Sequence, residues 1–109
     1  MVVMADAITL RITYVERVAL PYDAEIIALI KEGDTLHAKV VGQWSLKTAG
    51  RQVPITMVLA GLPRVKNSQP LFVDVKVYVR GRVWFITSMP MRLSDGANQT
   101  LEVRVVRAK

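Results

Sequence analysis

The chain has 109 residues, 51% of them hydrophobic, which suits a single domain with a packed core. It has no cysteine and one histidine, His37, so it lacks both a disulfide framework and the usual ligand set of a zinc site. The formal charge is +6, but the lysines and arginines form no block of five or six, which reads as a solvated surface.

Apolar and polar residues alternate with period two almost end to end, which predicts strands. In the first strand Ile8, Leu10, Ile12 and Tyr14 share one face. Pro21 lacks an N–H, so the ladder stops there, and the Asp23 side chain can hold a turn by accepting from nearby backbone N–H groups. Ile26 to Ile30 is a short second strand whose faces are ambiguous because nearly every residue is apolar. After a turn at Glu32-Gly33-Asp34, a third strand sets Leu36, Ala38, Val40, Gly42 and Trp44 against Thr35, His37, Lys39 and Gln43. Val53, Ile55, Met57 and Leu59 form one face of a fourth strand, and Pro54 places it at an edge or at a strand start. Gly61 to Pro70 is the longest loop. Val73, Val75, Val77 and Val79 form the clearest strand face, and Gly81 marks a hairpin into Val83 to Thr87. Ser94 to Asn98 is another turn, and Leu101, Val103 and Val105 line the last strand. About seven short, mostly antiparallel strands with little or no helix predict an all-β, two-layer β-sandwich over residues 1–109. Residues 1–6 are expected to be a disordered or cloning-derived extension.

The hairpin Val77 to Phe85 allows a deduction about faces. A two-residue turn, either Arg80-Gly81 or Gly81-Arg82, pairs odd positions before it with even positions after it. One sheet face then carries Val73, Val75, Val77, Val79, Trp84 and Ile86 as core. The other carries Asp74, Lys76, Tyr78, Arg80, Val83 and Phe85, with Phe72 and Met89 further along. A three-residue turn would exchange these assignments. Aromatic and aliphatic side chains ringed by charge fit a partner-binding patch. The expected binding residues are therefore Phe72, Lys76, Tyr78, Arg80, Val83 and Phe85.

Catalytic signatures are missing. His37 lies on a face that reads as solvated, the carboxylates are spread singly, and neither a Gly-x-Ser-x-Gly elbow nor a phosphate-cradling glycine loop occurs. No enzymatic activity, cofactor or metal is expected. Nucleic-acid binding finds weak support, since aromatics are 6% of the chain and the charge is not concentrated. No apolar run approaches the ~20 residues of a membrane-spanning helix. Met1 to Met4 is too short for the apolar stretch of a secretory leader. The chain therefore reads as either cytoplasmic or the mature part of an exported protein.

Three stretches carry a family resemblance: Tyr14-x-Glu16-Arg17-Val18-Ala19-Leu20-Pro21-x-Asp23-Ala24, Gly50-Arg51-Gln52-Val53-Pro54-Ile55, and Val73 through Thr87. In this order and spacing the chain resembles the YscW/YbaY-type envelope lipoproteins, and within them the pilotins of type III secretion. It departs from the family at Arg80, where an aspartate usually precedes the hairpin glycine, and at Thr87 to Pro90. The resemblance implies a β-sandwich anchored at the periplasmic face of the outer membrane by an N-terminal lipid, whose cysteine this sequence does not contain. It further implies binding of a secretin subunit near its C-terminal region, delivery of that subunit to the outer membrane, and promotion of its oligomerisation. A general envelope lipoprotein without a secretin client is the alternative within the same resemblance. The matching residues Arg17, Leu20, Pro21, Asp23, Gly50, Val53, Pro54 and Gly81 are fold residues and do not outline a binding site.

Overall fold

The computed structural model describes residues 7–33, 37–61, 70–93 and 99–108. Within them are eight strands and no helix: β1 (Ala7–Thr13), β2 (Ala24–Glu32), β3 (Lys39–Lys47), β4 (Ile55–Ala60), β5 (Leu71–Val79), β6 (Arg82–Thr87), β7 (Met91–Arg92) and β8 (Gln99–Arg107). Residues 1–6, most of the loop from Gly61 to Pro70, the turn at Ser94 to Asn98, and Asp34 to Leu36 lie outside the described residues.

The strands form one sheet in the order β3-β2-β5-β6-β8-β1-β4, with β7 added on β5. This corrects the expected two-layer sandwich. The sheet curls until it is nearly a closed barrel, because β8 belongs to both sides. Its residues Gln99 to Arg104 pair in parallel with Ile8 to Thr13 of β1, and its residues Val105 to Arg107 pair antiparallel with Thr87 to Phe85 of β6. One strand with two partners turns what would be two layers into a continuous wall. Parity then separates inside from outside. Ile8, Leu10, Ile12, Ala24, Ile26, Ala28, Ile30, Val73, Val75, Val77 and Val79 all point inward and are buried.

The β5–β6 hairpin turns at Arg80-Gly81, with φ of +49° and +81°, and Val79 pairs with Arg82 and Tyr78 with Val83. These values suit a two-residue turn of the twisted type that hairpins favour. Beyond it the register shifts: Val77 opposes Phe85, leaving Trp84 without a partner. A bulge of this kind inserts one residue and reverses the parity of everything after it. Phe85 is therefore a core residue with 0% exposure, not a member of the outer patch, and Ile86 faces outward opposite Lys76. Inside, the Phe85 ring stacks on Tyr14, with centroids 4.3 Å apart and planes 8° from parallel. Arg107 caps this end of the barrel 5.6 Å from the Trp84 ring and 5.9 Å from the Phe85 ring.

A second bulge lies between β2 and β3. Ile30 opposes Gly42 and Lys31 opposes Val40, so Val41 is the extra residue. It turns Val41 toward the core and leaves Val40 exposed, against the simple alternation expected for this strand.

The segment between β1 and β2 is fastened by one side-chain amide. Gln52 accepts from Leu20 N–H at 2.7 Å and donates to Leu20 C=O at 3.0 Å, as a backbone neighbour in a ladder would. Gly50, at φ +89°, lets the Tyr22 ring lie against it; a Cβ there would sit 3.4 Å from that ring. The Tyr14 hydroxyl donates to the Val18 carbonyl. Two of the stretches that carry the family resemblance are thus bonded to each other.

Two outcomes follow. Phe85→Ala should lower stability in urea by about 3–5 kcal/mol, because it removes a fully enclosed ring together with its stacking partner's contacts. Tyr14 provides the second. Burial, and then the nearby Glu16 carboxylate, raise its hydroxyl above the ordinary value of 10.0. The folded state therefore resists ionisation that the unfolded chain accepts. The stabilisation this gives is complete below pH ~10 and is lost as pH rises through the folded value. Tyr14→Phe should flatten the fall of the urea midpoint between about pH 9 and 11; an unchanged slope would contradict it.

Candidate functional site

The outer face of β3, β2, β5, β6 and β8 is the candidate site, and the pairing registers set its side chains in rows. One row crosses five strands: Ser45, Ile27, Lys76, Ile86 and Val106. Beside it runs Lys47, Glu25, Tyr78 and Val83. On the other side run Gln43, Leu29 and Asp74, and beyond them Val40, Lys31, Phe72 and Arg92. Ile27, Leu29, Phe72, Tyr78, Val83 and Ile86 are half-buried, while Val40 and Val106 are exposed.

Of the six residues expected to bind, Phe72, Lys76, Tyr78 and Val83 do share this face. Phe85 lies on the opposite side of the sheet, for the parity reason given above. Arg80 sits exposed in the hairpin turn, and its guanidinium is engaged: one nitrogen donates to both carboxylate oxygens of Asp23, at 3.0 and 3.2 Å. Asp23 thus ties the first corner to the hairpin, with its oxygens turned to Arg80.

Between the last two rows Lys31 donates to Asp74 at 3.2 Å, with side-chain exposures of 14% and 15%. The other Asp74 oxygen accepts from the Thr87 hydroxyl, which in turn accepts from Val75 N–H at 3.4 Å. Both carboxylate oxygens are occupied, so Asp74 anchors the face rather than offering a free charge. Lys76, in the next row, carries a positive charge among Ile27, Ile86 and Tyr78. Such a surface can cover an apolar stretch of polypeptide and select for acidic neighbours.

Residues 4–105 match the family described as type III secretion system lipoprotein chaperone (YscW). The chain belongs to this family. No curated protein matches it. Among solved structures it is similar to an alternative pilotin from the type II secretion system of Vibrio cholerae, at 25% identity and a TM-score of 0.84, over 97% of this chain and 99% of that one. The YscW family is one of chaperones rather than enzymes, and its description as a lipoprotein of a secretion system points to the cell envelope.

Ile27, Leu29 and Ile86 belong to the face and were not among the expected residues. A signal for the first two existed. Glu25 and Lys31 flank the apolar run with the same parity as Ile27 and Leu29, so the charges already marked the odd side as outward. Ile86 had no such marker, because a bulge without glycine leaves no trace in composition.

Asp74→Ala should cost about 1–3 kcal/mol in urea unfolding, since it strands the largely covered Lys31 ammonium and the Thr87 hydroxyl. A loss within the scatter of surface substitutions would show that the polar cluster is solvated and does not brace the face.

Proposed function

We propose that this protein is a non-enzymatic pilotin of a type III secretion system. Its folded domain binds the secretin subunit at the subunit's C-terminal region, escorts it to the outer membrane and promotes its oligomerisation there. An N-terminal lipid upstream of the domain would hold the protein at the periplasmic face. The observation that carries this reading is likeness over the whole domain: a family of type III secretion lipoprotein chaperones over residues 4–105, and a pilotin aligned over 97% of the chain.

The docking face in this reading is the outer sheet surface, with Phe72, Tyr78 and Val83 joined by Ile27, Leu29 and Ile86 as the apolar contact. Lys76 supplies the positive charge that draws in an acidic segment. Phe85 serves the face indirectly, by filling the wall behind it, and Arg80 is held by Asp23. Protein interfaces depend on a few anchored side chains, and the half-buried aromatic Tyr78 suits that role.

The experiment is calorimetric titration of the cognate secretin's C-terminal segment. Saturable binding is expected, weakened at least about tenfold by Tyr78→Asp with the thermal midpoint held near the wild-type value. Absence of heat with the wild-type protein would refute the pilotin reading. Undiminished affinity in Tyr78→Asp would move the interface off this face.

A further inference from the structure

The sheet does not close. β3 and β4 are its two ends, consecutive in sequence and joined through residues 48–54. Following the strand directions around the wall shows that they run antiparallel. They have the order and direction of a hairpin, yet among the described residues no ladder joins them. A side chain spans the gap instead: Trp44 Nε1 of β3 donates to the Ala60 carbonyl of β4 at 2.9 Å.

That bond reveals how β4 is oriented. The N–H and C=O of a strand residue point to the same side, and the side alternates along the chain. Since the Ala60 carbonyl faces the gap, the backbone groups of Thr56 and Val58 face it too, while those of Ile55, Met57 and Leu59 serve the ladder with β1. β4 lacks the usual protection of an edge. It carries no charge and no internal proline, and Val58 is 56% exposed. Across the gap, Val41, Trp44 and Leu46 of β3 are core residues left only partly covered. Among the described residues, the seam therefore combines backbone groups without a ladder partner and apolar side chains that are only partly covered.

We propose that this seam is a strand-addition site that takes one extended segment of the client polypeptide, paired on β4, with apolar residues at alternate positions over Trp44 and Leu46 and acidic residues between them. The identity of the client rests on the pilotin reading; the site itself rests on the seam. Acidic residues fit because Lys39 and Lys47 stand at the two ends of β3 while β4 is neutral. The same charges argue against a second copy of this chain, whose formal charge is +6. Geometry argues against it as well. A gap bridged by one indole admits a single strand, whereas β4 of a second folded copy arrives flanked by its own β1. Entry of the segment displaces Trp44 from Ala60 and supplies the ladder partner that β4 lacks.

The test uses the cognate secretin's C-terminal segment and two readouts. In a Trp84→Phe background Trp44 is the sole tryptophan, and binding should change its emission. Amide exchange at Thr56, Val58 and Ala60 in the wild-type protein should slow at least about tenfold on binding, with Met57 and Leu59 little changed. Val58→Pro removes a donor that faces the gap and leaves the β1 ladder intact, so it should fold and weaken binding at least about tenfold. Binding without protection of the β4 amides would overturn the seam while leaving the pilotin function standing. Failure of the wild-type protein to bind the segment at all would overturn the pilotin reading, and with it the client assigned to the seam.

Discussion

The parallel pairing of β1 with β8 is the constraint on which the rest depends. It joins the first strand to the last, and β8 then continues past β1's end to pair with β6. Without that double engagement, β1 and β4 would form a separate ribbon beside the β3-β2-β5-β6 sheet. With it, every inward residue faces one shared core, and the outer side of each strand is defined by default. The wall also cannot assemble until the whole chain is present, since its central joint brings together residues about ninety positions apart, as the Arg11–Glu102 pair illustrates. Folding dominated by such distant contacts is expected to be slow and cooperative.

Two bulges adjust this wall on and beside the proposed docking face. The one at Trp84 turns Phe85 into the core, where it stacks on Tyr14, and brings Ile86 out beside Lys76. The one at Val41 leaves Val40 exposed at the margin of the same face. Both also sharpen local twist, which a small curled sheet needs. The polar contacts then fix the ends: Gln52 holds Leu20 through two hydrogen bonds, and Asp23 holds the hairpin through Arg80. A domain built this way keeps a rigid interior and leaves an outer face and an unclosed edge free for the partner proposed here.

How much of this could be read from the chain varies by element. The valines from Val73 to Val79 declare an inner face because each is separated by a polar or aromatic residue, and the structure agrees. Pro54 pointed to an edge or a strand start; β4 begins at the next residue and is an edge strand. The hairpin turn at Arg80-Gly81 was legible as one of two choices, but the bulge three residues later was not, because nothing in Val83-Trp84-Phe85 distinguishes a regular strand from a kinked one. Phe85 was misplaced for that reason alone. Sandwich and barrel were indistinguishable for a different reason: both are made of short alternating strands, and the difference lies in which partners β8 finds. Asp23 was legible as a corner residue, but its salt bridge to a turn fifty-seven positions away was not. On the site, the family motifs led to residues that hold the fold, and the outer apolar face emerged only once registers aligned Ile27, Lys76 and Ile86 in one row.

The most direct test of the central claim, that this nearly closed sheet carries a secretin subunit on its outer face and open edge, is site-specific photo-crosslinking in cells that express the secretion system. A photoreactive residue in place of Tyr78 or Val58 should capture the secretin, and one in place of Glu102, exposed on β8 two strands from β4 and outside the rows of the face, should not. Capture from Glu102 with none from the other two positions would contradict the account.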